Sequence, residues 1–359
     1  MDLSRIICED STQIANSKYI DWDKLKGKTV LISGANGYVP SYFVFALLKY
    51  NELFDGDIKV IALCRNKERA IERFRDVVDN ERMFLLIQDV TDLVVLTDPI
   101  HFVIHAASPA GYHSRHFNPA ETFNANIIGS KNLLELCRRN PIEGFLLLSS
   151  VDVYGHNSHE ERLGESSYGF LDPVKPRNSY SISKLASEGL TIAYKEEYAI
   201  PAKIVRPFQI LGNGLDLKDG RLHADFISQL IRGGDIALKG DGTPLRTFMY
   251  VTDAITAMLT VLLSGENGEV YNVCDESGDI SVVDLAKLMI SLNSVEKGKV
   301  IFEKGQRDSV AVSEAVQCVV GDSTKLKGLG FQVEYSLPEA VERVMLAYGL
   351  STKAVCDPI

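Results

Sequence analysis

From Lys28 onward the chain alternates short apolar runs with longer stretches of helical periodicity, and this alternation constrains the fold more than any other feature. The runs are TVLISG (29–34), IKVIALC (58–64), MFLLIQDV (83–90), HFVIHAAS (101–108), GFLLLSSV (144–151) and PAKIVRPF (201–208). They are continuously apolar rather than alternating, which is the pattern of strands covered on both faces. Between them lie SYFVFALLKY, NKERAIERFRDVV, NIIGSKNLLELCRR and SYSISKLASEGLTIAYKEEY, each with helical spacing. The expected fold is α/β, a doubly wound parallel sheet over residues 28–205 to which 247–275 returns. Residues 206–246 and 276–359 are richer in turns and are expected to form a smaller substrate-binding lobe. Residues 1–27 form a polar, helical extension to which no chemistry attaches.

Composition narrows the partners. A net charge of −10 argues against a nucleic-acid-binding face, although a few local arginines suffice for a small anion. The six cysteines are scattered without a CxxC pair, and several sit inside apolar runs, where buried free thiols are expected. MDLSRIICED is too mixed and charged for a signal peptide, and no apolar run approaches the ~18 residues of a membrane span. The expectation is a reduced, cytoplasmic protein with no membrane and no nucleic-acid partner.

In VLISGANGYVPSYFVFALLKY (30–50), Gly34 and Gly37 follow a strand and open a helix, as a phosphate-binding turn requires. Gly34 permits a tight turn and Gly37 a close backbone approach to a pyrophosphate. The helix N-terminus supplies open amides. Pro40 stands where a third small residue is expected, a position at which its missing N–H is tolerated. At the end of the second run, Cys64 occupies the place of a ribose-binding acid and Arg65 follows, with Lys67 and Arg69 close behind. That tilts the expectation from NAD towards NADP, while a solvated basic helix start accounts for the same residues. Asp89, in QDVTD, is placed to meet an adenine amine.

The pair Tyr180 and Lys184, in NSYSISK, has the i, i+4 spacing that puts an ammonium beside a phenol on one helix face. A neighbouring cation lowers a tyrosine pKa and makes a usable base of it. Ser149 and Ser150 end the strand run some thirty residues earlier, where this architecture collects ligands. A serine hydroxyl there can hold a substrate hydroxyl while the tyrosine removes its proton.

With SGANGYVP, HAASPA, NIIGSKNLLE, SSVDVYG, YSISK, RPFQILGNG and LRTFMYVTD, the chain resembles the extended short-chain dehydrogenase/reductases that modify nucleotide sugars. The resemblance covers roughly residues 28–350, and PRNSYSISK and DGRLHADFI look closest to the UDP-glucuronate decarboxylases. It implies a Rossmann fold with NAD or NADP held by Gly34, Asn36, Gly37, Tyr38, Val39, Arg65, Asp89, Val90, Ala106, Ala107, Ser108, Asn126, Tyr180, Lys184 and Pro207. It implies catalysis by Ser150, Asp152, Tyr180 and Lys184: transient oxidation of the sugar at C4, then decarboxylation, epimerisation or dehydration. Val151 and Asp152 replace the family's acidic pair of dehydratases and the Ser–Glu of decarboxylases, so the base is one methylene shorter and lacks a companion acid.

A nucleotide-diphosphate sugar is the implied substrate, with Gln209 (in place of the family's Asn), Arg221 and Arg246 on its side and a homodimer as the implied assembly. Asp253 is expected to cap a helix and His105 to pack beside the cofactor. His113/His116 and His156/His159 have tempting spacing, but without a carboxylate or cysteine cluster they are expected in surface loops, binding no metal. Two alternatives stay open at this stage. One is a net NADPH-dependent reductase of a keto sugar, suggested by Arg65. The other is a non-catalytic dinucleotide-binding protein, suggested by Pro40 and Gln209.

Overall fold

The computed structural model describes residues 3–109, 118–157, 162–294, 298–303 and 318–352. All six apolar runs become strands of one parallel sheet: β1 (Thr29–Ser33), β2 (Lys59–Cys64), β3 (Met83–Ile87), β4 (Phe102–His105), β5 (Gly144–Leu148) and β6 (Ala202–Pro207). After them come β7 (Gln209–Leu211), β8 (Ile236–Lys239) and β9 (Leu245–Tyr250) in smaller sheets, and then β10 (Val270–Val273) returns beside β6. The large sheet has the order β10-β6-β5-β4-β1-β2-β3. Its winding reverses between β1 and β4, where Val30 pairs with Val60 on one side and Phe102 on the other. Loops leaving these two strands diverge, and a crevice opens at their carboxyl ends. Near it, β7 lies parallel to β9, which also pairs antiparallel with β11 (Asp279–Ser281), while β8 pairs with β12 (Val300–Glu303).

Both faces of the large sheet are covered. On one, the helices Tyr38–Phe54 and Val251–Ser264 are apolar nearly all round and pack into the largest core, with Tyr42, Phe43 and Met258 fully buried. On the other, the helices Pro119–Arg138 and Ser179–Tyr198 pack over Leu31, Val103, Phe145 and Leu147. No described helix is long and apolar enough to cross a membrane.

Two features differ from the sequence expectation. The N-terminal helix Leu3–Ala15 is built into the core through Ile6, Asp10, Ser11 and Ile14. Asp10 is fully buried and accepts hydrogen bonds from Arg343 (2.6 Å), Tyr250 (2.9 Å), Asn213 (3.2 Å) and Tyr42 (3.3 Å). Burial pushes its carboxyl above the ordinary value, and the Arg343 charge opposes this. Asp253 does not cap the Val251–Ser264 helix. Tyr250 has the extended backbone of the N-cap, and Asp253 lies inside the first turn. Its carboxylate accepts instead from the amides of Glu334 (3.0 Å) and Tyr335 (3.1 Å), and burial pushes it up to about 7.

Candidate active site

A cavity of about 1230 Å³ opens at the carboxyl ends of β1, β4, β5 and β6. It exceeds the ~300–1,000 Å³ of a usual small-ligand pocket, which suits a dinucleotide and a second nucleotide together. Gly34, Asn36, Gly37, Tyr38 and Val39 form one wall, and Ala106, Ala107 and Ser108 the back. Arg65, Asp89 and Val90 line one end. Ser150, Asp152, Tyr180 and Lys184 line the cavity with Pro207 and Gln209, and so does Arg221, which pairs with Asp219 (2.9 Å) and lies over the Tyr38 ring at 5.6 Å.

The glycine turn is shaped by contact. Gly34 has φ +64°, and a Cβ there would stand 2.7 Å from Ala107 Cα, so the loops after β1 and β4 touch backbone to backbone. Gly37 donates to Gly34 O (2.9 Å) and is the helix N-cap. The first return bond of the helix runs from Ser41 N to Gly37 O (3.1 Å), so the amides of Tyr38 and Val39 are first-turn donors with no intrahelical acceptor. Pro40 adds none, and its ring lies 3.0 Å from where a Gly37 Cβ would be.

The opposite wall depends on the Ser179–Tyr198 helix. Tyr180 and Lys184 are both buried on its inner face, and Lys184 Nζ donates to Leu148 O (2.6 Å) at the end of β5. That bond pins the helix to the strand and leaves the ammonium 6.0 Å from the Tyr180 ring centre. Small residues let the neighbouring helix approach: Asn126 donates to Ser183 Oγ (2.8 Å), and Ser187 Oγ donates to Asn126 O (2.9 Å). Ser150 caps the short turn Val151–Tyr154, its Oγ accepting from Asp152 N (3.2 Å). The hydroxyl proton of Ser150 is not used in that bond.

Several expected residues sit elsewhere. His105 is buried and is not among the residues lining the cavity. Ser33 Oγ accepts from the amides of Ala106 and Ala107 (both 3.2 Å), so its proton goes to His105 Nδ1 (2.7 Å), and Nε2–H donates to Ser130 Oγ (3.0 Å). Burial, reinforced by the Lys184 charge, holds the imidazole down at about 3 and therefore neutral. Its task is to fix the two loops behind the cavity, not to touch a ligand. Asn126 stands one layer behind the wall, and Arg246 lies outside the cavity lining with Nη1 donating to Leu245 O (2.8 Å). Burial lowers the Arg246 pKa.

Arg65, with its side chain 62% exposed at this end of the cavity, pairs with Glu121 (2.5 Å) and Asp89 (3.6 Å). Burial pushes the Cys64 thiol up to about 11, leaving a neutral group where an acid was anticipated. His156 is exposed. His113, His116 and His159 lie outside the described residues, among which no metal-binding cluster forms.

Sequence reasoning missed the buried pair Arg206–Glu188. Arg206 Nη2 meets Glu188 at 2.7 Å, Nη1 donates to Glu165 O (2.9 Å), and the guanidinium covers the Tyr154 ring at 4.7 Å. It thereby links the turn carrying Ser150 and Asp152 to the helix carrying Tyr180 and Lys184. Its partners are too distant in sequence for spacing to reveal them.

The residues fit a dinucleotide. Ser108 Oγ, Ser149 Oγ and Tyr38 OH are buried at the cavity with no partner among the described residues, and Gly34 and Gly37 form a cradle that a Cβ would crowd. The profile of the NAD dependent epimerase/dehydratase family matches residues 30–274. The chain belongs to that family.

An Arabidopsis thaliana protein named UDP-glucuronic acid decarboxylase 2 is 28% identical over 270 residues, which cover 74% of this chain and 57% of that one. The chain thus spans little more than half the length of that relative. Among solved structures, a UDP-N-acetylglucosamine 4-epimerase of Methanobrevibacter ruminantium in complex with UDP-N-acetylmuramic acid matches with TM-score 0.76 and 23% identity, covering 90% of this chain and 98% of that one. A Bacillus cereus UDP-glucuronic acid 4-epimerase in complex with UDP-glucuronic acid and NAD matches with TM-score 0.73 and 23% identity, covering 89% and 98%. At such identities these structures support the fold.

Proposed function

We propose that the protein is an NAD-dependent decarboxylase of UDP-glucuronate that acts by transient oxidation at the sugar C4. One observation carries this reading: Ser150, Asp152, Tyr180 and Lys184 line a single cavity with the glycine turn. The Bacillus cereus 4-epimerase of the same fold is described in complex with NAD, which favours NAD over NADP. NAD, when bound, supplies a hydride acceptor that is restored by the end of the cycle.

The chain's own residues handle protons and placement. The Lys184 charge favours the Tyr180 phenolate, which takes the 4-OH proton. Ser150, anchored through its Oγ by the Asp152 amide, keeps its own O–H for the oxygen at C4. A ketone at C4 makes the C6 carboxylate part of a β-keto acid. The C5–C6 bond then breaks, carbon dioxide leaves, and the electron pair passes through C5 to the C4 oxygen. Asp152, once protonated from solvent, is the group suited to deliver a proton to C5, and Tyr180 gives its proton back to the C4 oxygen as C4 is reduced again. Val151 packs with Tyr154, Leu163, Phe208 and Cys274, so no second acid accompanies Asp152 as dehydration in this family requires.

A second reading, 4-epimerisation of the same substrate, is favoured by the shortness of Asp152 and would retain C6. Incubation with UDP-glucuronate, UDP-glucose and dTDP-glucose, with NMR of the products, tests both. A UDP-pentose from UDP-glucuronate with no net absorbance change at 340 nm is expected. Turnover of none of the three overturns the assignment, and stoichiometric oxidation of NADPH by a keto sugar would make the protein a net reductase.

A further inference from the structure

The loop from Gly212 to Arg221 joins β7 to the helix Leu222–Gly233 and brings Arg221 to the cavity. Segments far away in sequence hold it. Arg73 Nη2 donates to Gly214 O (2.7 Å), and Tyr348 OH donates to Leu215 O (2.5 Å). Asn213 is fully buried; its Nδ2 donates to Asp10 (3.2 Å) and to Tyr250 OH (2.9 Å), and its backbone carbonyl accepts from Tyr42 OH (3.3 Å). Ile7, on the same N-terminal helix, lies 3.8 Å from where a Gly214 Cβ would stand, and Ile7 and Ser11 line the cavity.

We propose that the N-terminal helix Leu3–Ala15 is a working part of the substrate side and that Asp10 is the positioning residue for the loop carrying Arg221. A carboxylate offers about four acceptor sites. Asp10 gives its sites to Arg343, Tyr250, Tyr42 and Asn213, so the helix Tyr38–Phe54, β9, the loop and the helix Leu337–Ala347 converge on one side chain. The loop has its own turn, closed by Asp219 N to Asp216 O (2.9 Å), between Gly214 (φ +83°) and Gly220 (φ +85°), so the outside tethers fix where that turn sits rather than its internal shape. That Arg221 meets a substrate anion rests on the proposed function. The ordering of the loop by Asp10 does not.

Hydrogen exchange read by mass spectrometry on the full chain separates the two. In Asp10→Asn one acceptor oxygen becomes a donor, and exchange over 212–221 is expected to accelerate at least tenfold while peptides of β1 and β4 keep their rates. Tyr348→Phe, which removes only the tether at Leu215, should accelerate the same peptides less. With UDP-glucuronate, Asp10→Asn should raise KM about tenfold and leave kcat within twofold. Loosening confined to 3–15 and 337–347, with 212–221 exchanging at the wild-type rate, overturns the proposal. If Asp10→Asn does not fold, Asn213→Ala, which cuts the loop's own end of the tether, is read by the same criteria. A wild-type protein that turns over no nucleotide sugar sinks the functional assignment and leaves the exchange result standing.

Discussion

Gly34 and Gly37 stand three residues apart in one turn, yet alanine at each should fail for a different reason. At Gly34 the backbone has φ +64°, and the new Cβ would lie 2.7 Å from Ala107 Cα and 3.0 Å from Ala107 N. A left-handed alanine costs roughly 1–2 kcal/mol, and forcing two backbones apart adds roughly 1–3 kcal/mol. Gly34→Ala should therefore lose about 2–5 kcal/mol in all, which at ~1.4 kcal/mol per decade is at least about thirtyfold if expressed in dinucleotide affinity. Gly37 has φ −66°, which alanine adopts freely, and its Cβ would meet Pro40 Cγ at 3.0 Å, Gly34 O at 3.1 Å and Pro40 Cδ at 3.3 Å. Gly37→Ala should cost only the crowding, roughly 1–3 kcal/mol. Two of its three contacts belong to the proline ring, so Pro40→Ala added to Gly37→Ala should recover about half of the loss, whereas added to Gly34→Ala it should recover nothing. Fluorescence titration with NADH and thermal melts of the four variants measure this. Equal damage at the two glycines, or no rescue by Pro40→Ala, would refute the contact account of the turn.

Three further outcomes follow from buried groups. Tyr180→Phe should lower kcat by about 10²–10⁴, the usual worth of a general base, with NAD affinity within twofold of wild type; stopped-time product assays and NADH titration read the two separately. Arg206→Met should destabilise by about 3–5 kcal/mol, because it strands the Glu188 carboxylate among buried groups, and adding Glu188→Gln should restore most of that in urea melts. Asp253 has its folded pKa raised from 3.8 to about 7, so the folded protein binds the proton more tightly than the unfolded chain. Its contribution is fully present below about pH 4 and lost as pH rises to 7, with a ceiling of about 4 kcal/mol. Asp253→Asn should flatten the stability profile between pH 4 and 7 in urea melts at fixed ionic strength.

The parallel sheet was legible because strands covered on both faces must be continuously apolar, and the six runs leave no other reading. Tyr180 and Lys184 were legible because one helix turn joins them. What stayed hidden depends on long-range partners. Arg65 pairs with Glu121, 56 residues away, a contact that local spacing does not announce. Asp10 looks like the wet face of an amphipathic helix until Arg343, 333 residues away, reaches it. His105 ends a strand that leads to the cavity, but its side chain is taken up by Ser33 and Ser130, 72 and 25 residues away.

The central claim is loss of the sugar carboxyl after C4 oxidation at the Ser150–Tyr180–Lys184 wall. UDP-glucuronate labelled with ¹³C at C6, followed by NMR in a sealed tube with the wild-type protein and NAD, tests it most directly. Label appearing as carbon dioxide and bicarbonate, in step with an unlabelled UDP-pentose and absent with Tyr180→Phe, is the predicted result. Label remaining on a hexuronate, whether epimerised or untouched, contradicts the claim.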